Sequence, residues 1–304
     1  MKRSLVVPLA SAAIFTICIS IWAQEEVLEV EQARLLRQWK DVLIEVLATP
    51  KEKVPQSEAI MELKKILSAP PNNPDPRLDT AQRVLSTTTR QTSAMRTNIS
   101  RMERLFANFP DQPLTKQKIS ELRVMVREEI ERLGERAVTD LIRICREQTE
   151  VDIRLNAAMA LAKVKAGNAE ASRALLGLLE DSSSGVRYWA IKGLGLQKET
   201  QAVEPLLNIL GGNDELLKDL SAWALGEIGG RRAVSPLVDI LLAPLPTEVQ
   251  AKARVLAFKE RVAEALRKLT GENFGYIEAR DEEERTQALD SWRSWWEENR
   301  TSFA

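Results

Sequence analysis

Apolar residues recur at helical spacing along most of the chain, and between Glu150 and Leu241 the pattern itself recurs. The segments Ile153–Ala162, Val186–Gly195 and Leu217–Gly226 align, bringing Arg154, Arg187 and Lys218 into register at spacings of 33 and then 31 residues. The pairs Ala160/Leu161, Gly193/Leu194 and Ala224/Leu225 fall together as well. A second apolar run follows each segment, at Ala174–Leu179, Pro205–Leu210 and Pro236–Leu241. Two helical runs in a period near 31 residues predict an all-α fold, an α-solenoid whose repeats bury their apolar faces only by stacking.

The same periodicity organises the flanks. Glu25–Ala48 predicts an amphipathic helix with Leu28, Leu35, Trp39, Val42, Leu43 and Val46 in one stripe. Thr49–Pro55 ends it, and Ser57 is placed to cap a shorter helix through Leu67. Ala69–Pro76 reads as a stiff connector, and helical spacing resumes through Leu78, Val84, Met95, Ile99, Met102 and Phe106, interrupted by the polar patch Ser86–Ser93. Repeats proper begin near Leu114, with the stripe Ile119, Leu122, Val126, Ile130 and a turn at Gly134–Val138. That turn returns at Gln201–Val203 and Gly229–Val234, and Pro205 and Pro236 sit in the first turn of the helices that follow. Small residues at Ala157, Ala160, Ala190, Gly193, Ser221 and Ala224 allow neighbouring helices to approach closely, and a longer helix from Thr247 to Leu269 forms a fourth unit.

The end of the chain changes character. Thr270–Tyr276 is a turn, followed by a charged helix from Asp281 to about Arg300 on which Leu289, Trp292 and Trp296 share a face with Trp295 beside them. An open solenoid end needs a cover, so Trp292, Trp295 and Trp296 are expected to cap the core; a Trp-lined binding site is the other reading. The expected organisation is 1–23 an export signal, 24–113 an N-terminal helical region, 114–270 the solenoid and 271–304 a turn with a capping helix.

Composition narrows the chemistry. The chain of 304 residues carries a formal charge of -1, so no global field favours nucleic acid. It contains no histidine, which removes the commonest general base and metal ligand. Lys2 and Arg3 precede an uncharged stretch from Leu5 to Ala23, the pattern of an export signal cleaved between Ala23 and Gln24. Retained instead, the stretch is nearly long enough to anchor the protein in a membrane. Either reading puts the bulk of the protein outside the cytosol, in the periplasm or cell envelope, with any membrane contact made only through this segment. Without the signal only Cys145 remains; the register equates it with Leu179, Leu210 and Leu241, a core position.

The repeats resemble HEAT repeats of the short type first recognised in phycobilisome lyases. The residues that carry the resemblance are Val186-Arg187, Ala190 and Leu194-Gly195, then Ala222, Ala224-Leu225-Gly226 and Ile228-Gly229. The first unit departs from the pattern, with Ala162 in place of the glycine. The tail also resembles the ending of many exported bacterial HEAT proteins. Of the enzymatic relatives, the deoxyhypusine hydroxylases hold two irons through His-Glu pairs, which a chain without histidine cannot supply. Phycobilin lyases act on a cytosolic chromophore. The resemblance therefore implies a non-catalytic interaction scaffold without cofactor or metal. It also implies that Arg154, Arg187 and Lys218 form a structural ladder tying units together through carboxylates; a phosphate-binding row is the sharper alternative.

No phosphate loop, zinc spacing or nucleophile elbow accompanies the repeats. The candidate binding surface is the polar side of the second helix of each pair, expected to face the concave groove. One column there holds Thr139, Arg173, Glu204 and Ser235, and the other holds Arg143, Gly177, Asn208 and Asp239. The columns are basic at the N-terminal end and acidic at the other, which suits a protein or peptide better than nucleic acid. An envelope enzyme or polysaccharide-binding protein using the Trp-rich tail, and a membrane-anchored assembly factor, are the alternatives.

Overall fold

The computed structural model describes residues 40–49, 58–68, 101–102, 104 and 115–303. The expected signal, the connector 69–76 and the polar patch 86–93 lie outside the described residues, as does most of the expected helix 25–48. Every regular element among the described residues is a helix, and none is long and apolar enough to cross a membrane. The chain divides into two compact units, Met1–Glu129 and Ile130–Ala304.

In the first unit residues 40–48 are helical, followed by α1 (Glu58–Ser68), and α2 (Lys116–Leu133) runs across the division. Leu43, Val46, Leu47, Ile60, Leu63, Leu122 and Val126 have no exposed surface, so the expected stripes are core stripes. Arg123, itself buried, donates through Nη2 to the carbonyl of Thr49, just past the end of the first helical stretch.

The second unit is a stack of helix pairs. Its helices are α3 (Val138–Glu147), α4 (Val151–Ala162), α5 (Ala169–Leu178), α6 (Ser184–Gln197), α7 (Val203–Leu210), α8 (Glu215–Ile228), α9 (Val234–Leu242), α10 (Val249–Thr270) and α11 (Glu282–Asn299). Each expected turn tightens into a 3₁₀ segment, Gly134–Ala137, Thr200–Ala202 and Arg231–Ala233, whose alanine is buried before the next helix begins.

Two layers result, and they are unequally spaced. The helices α4, α6, α8 and α10 pack side by side in series, whereas among α3, α5, α7 and α9 only α3 and α5 meet laterally to any extent, and far less closely than the first set does. Glycine sets the tight spacing: a Cβ on Gly193 would stand 2.8 Å from the Ala162 Cα, and one on Gly226 would stand 2.9 Å from the Ala265 Cα. A two-layer stack curves towards its closer layer, so the inner side is formed by α4, α6, α8 and α10. This corrects the expectation that the second helix of each pair lines the groove. That expectation rested on chain order within the repeat, whereas the small residues that permit close approach are on the other helix.

The same contacts complete the register. Gly193 meets Ala162 while Gly226 meets Ala265, which aligns Lys259 with Lys218 at a spacing of 41 residues. Phe258-Lys259, Val262-Ala263 and Ala265-Leu266 are thus the fourth copy of the motif, and Lys259, Val262, Ala263, Ala265 and Leu266 are all buried.

Candidate protein-binding face

The basic residues of the register act on the chain that precedes their own helix. Arg154, 9% exposed, donates from Nη1 to the carbonyls of Gln148 (3.1 Å) and Thr149 (2.6 Å), just beyond α3. Its Nε and Nη2 grip Asp181 at 2.9 and 3.1 Å, so it spans two repeats. Arg187 repeats the arrangement more loosely: Nη1 donates to the carbonyls of Asp181 (2.8 Å) and Ser182 (3.3 Å), and Nη2 lies 3.8 Å from Asp214. Lys259 donates to the carbonyl of Ala243, the residue that closes α9. Sequence reasoning omitted Lys259 because the longer α10 breaks the spacing; the Phe-Lys, Val-Ala, Ala-Leu order was the available signal. Lys218 differs. It makes no ion pair among the described residues, and its ammonium lies 5.4 Å from the centre of the Phe258 ring.

These groups shift one another's ionisation. The hydrogen bonds to Asp181 raise the Arg154 guanidinium above its ordinary value. Burial pushes the Asp181 carboxyl up, but Arg154, the Ser183 N–H and Arg187 outweigh it and hold the carboxyl below its usual range. Burial drives the Cys145 thiol up to about 12, with Asp181 adding to the effect, so it stays a neutral thiol 4.0 Å from the Arg154 carbonyl. Burial lowers the Lys259 ammonium.

The two predicted columns lie on the wider layer. Thr139, Arg143, Arg173, Glu204, Asn208 and Asp239 are exposed and Ser235 is half-buried. Several are held locally: Arg143 pairs with Asp140 at 3.3 Å, Arg173 Nε donates to the Ala169 carbonyl at 3.1 Å, and Glu204 meets Arg232 at 3.0 Å.

The inner layer presents something else. Tyr188 and Trp189 on α6 meet edge to face with ring centres 5.7 Å apart, and the Lys192 ammonium lies 4.8 Å from the Trp189 ring. On α8, Trp223 covers Gly195, where a Cβ would meet the indole at 2.7 Å. Leu216, 61% exposed, extends the band, and Leu155 and Leu220 are half-buried beside it in the register. Rings fixed by neighbours and half open to solvent supply much contact area at little entropic cost, the composition found at interface centres. Trp189 and Trp223 occupied outward positions of the repeated helices, which was the sequence signal for this face.

At the C-terminal end Trp292 is 1% exposed and stands edge-on to Phe274 at 4.8 Å and to Trp295 at 5.6 Å. Trp295 and Trp296 are half-buried and both contact Phe303. The helix they stand on, α11, packs against α9.

Residues 173–257 match the family described as HEAT repeats. The solenoid is built of HEAT-like repeats. HEAT repeats serve in general as protein-interaction scaffolds, and the fold is typically non-catalytic. No curated protein matches the chain. A crystal structure of an engineered protein aligns with it at 17% identity over 83% of this chain and 73% of that one, with a TM-score of 0.36, too loose a match to bear on the register or the site. Among the described residues of the HEAT-like solenoid no group of histidine, cysteine and carboxylate side chains could hold a metal ion.

Proposed function

We propose that the chain is an exported scaffold of the cell envelope that holds a protein or peptide along the inner face of its HEAT-like solenoid. The observation that carries this is the band formed by Tyr188, Trp189, Lys192, Leu216 and Trp223 on the closely spaced layer. Apolar and aromatic surface held rigid and partly open is what a binding face spends its area on, whereas the polar columns of the wider layer have the character of an ordinary solvated surface. Export is supported by the charged, then uncharged, then Ala23-Gln24 pattern at the start of the chain.

Affinity capture from an extract of the native envelope tests the reading. The wild-type chain is expected to retain a partner that the double variant Tyr188→Ala/Trp189→Ala loses at unchanged helix content. The variant Arg143→Glu/Arg173→Glu should keep it. The opposite assignment would return the site to the wider layer.

A further inference from the structure

Among the described residues two rungs of the register lack an acid: Lys259, on the last helix of the inner layer, and Lys218, which has α10 beside it. Arg154 has Asp181 and Arg187 has Asp214, each acid standing at the start of the next inner-layer helix. The basic residue sits three residues after the first residue of α4, α6 and α8 but ten after that of α10. Those extra turns carry Glu248, which precedes α10, about 10 Å along the axis from the place a ladder acid would take. Lys218 therefore faces the side of α10 instead of a carboxylate.

A hollow of about 330 Å³ opens there, between α8 and α10. Leu216, Val255 and Phe258 give it apolar walls, and Lys218 and Arg254 bring cations to it. Its two acids already have partners: Asp219 lies 3.5 Å from Arg261, outside the hollow, and Glu215 lies 3.9 Å from Arg254, itself a lining residue, at an exposed edge. What the hollow lacks is a carboxylate for Lys218, held next to an apolar group. A single residue offers both only at a chain's C-terminus.

We propose that this hollow receives the C-terminal residue of a partner chain, with its apolar side chain against Leu216, Val255 and Phe258 and its carboxylate on Lys218, in the place the ladder acid occupies elsewhere. The proposal rests on the scaffold reading and names the end of the partner that reading requires.

The test uses the full chain and a fluorescent pool of short peptides of random sequence ending in leucine, compared with the same pool ending in leucinamide. The free-acid pool should bind at least about tenfold more tightly, as expected for loss of a charge-assisted contact. Lys218→Met should abolish that preference at unchanged helix content, and Lys218→Arg should keep it. Equal binding of the two pools, binding of neither, or a preference that survives Lys218→Met would each overturn the proposal. Competition by N-acetyl-leucine as strong as by the peptide pool would overturn the partner chain as occupant, in favour of a small amphipathic carboxylate. Envelope capture that needs Trp189 but is unmoved by Lys218→Met would reject the hollow while leaving the scaffold in place.

Discussion

Arg154 and Asp181 are joined by two parallel hydrogen bonds, Nε to Oδ2 at 2.9 Å and Nη2 to Oδ1 at 3.1 Å, across the boundary between successive repeats. Their side chains are 11% and 9% exposed, so water screens the pair little. Arg187 and Asp214, at 3.8 Å and 26% and 39% exposed, form the weaker copy. Removing one member of a buried pair strands the other. Arg154→Met should cost about 3–5 kcal/mol in urea unfolding, whereas Arg187→Met should cost about 1–2 kcal/mol, mainly its backbone hydrogen bonds. Equal costs would mean that the first rung is no more than a surface pair.

The same pair sets an acid limit. The folded Asp181 carboxyl is held below its ordinary value, so it binds a proton less readily folded than unfolded. Its contribution is then complete above the unfolded value of about 4 and is lost as pH falls through the lower folded value. In Asp181→Asn the fall in melting temperature between about pH 5 and pH 2 should be shallower than in the wild type. An unchanged slope would remove Asp181 from the account.

Close approach of the inner helices depends on glycine at a named place. Gly193→Ala sets a methyl 2.8 Å from the Ala162 Cα and should cost about 1–3 kcal/mol through overpacking. Lys198 gives the opposite test. It closes α6 with a φ of 54°, the left-handed region that glycine fills at the ends of α8 and α10 with Gly229 and Gly271. Lys198→Gly should stabilise by about 1 kcal/mol, read as a higher denaturation midpoint.

The tryptophans of α11 differ in burial. Trp292 is buried against Phe274, so Trp292→Ala should cost about 3–5 kcal/mol. Trp296, half-buried, should cost clearly less when cut to alanine. If this cluster were instead a sugar platform, adding oligosaccharide should shift tryptophan fluorescence in the wild type and not in Trp296→Ala. No shift is expected.

Much of this architecture was legible because a repeat states its constraints several times. Val186-Arg187 and Leu194-Gly195 predict a buried helix with a close neighbour, and Val186, Leu194 and Gly195 are buried. The rung at Lys259 escaped because α10 begins seven residues further ahead of it than its counterparts do, so the period no longer held. The inner face escaped for a different reason. Which layer lies inside depends on helix separation, set by Gly193 against Ala162 and Gly226 against Ala265, and those are contacts between repeats that no single repeat displays. Exposed polar columns such as Arg143 and Arg173 stood out in the alignment, yet polarity on a helix face records solvent as readily as a partner.

The most direct measurement is hydrogen exchange of the full chain with and without the partner captured from the envelope. Protection should concentrate on Tyr188–Lys192 of α6 and Leu216–Trp223 of α8, with α5 and α7 exchanging as in the free chain. Protection confined to α3, α5, α7 and α9, or to the tryptophans of α11, would contradict an inner-face site.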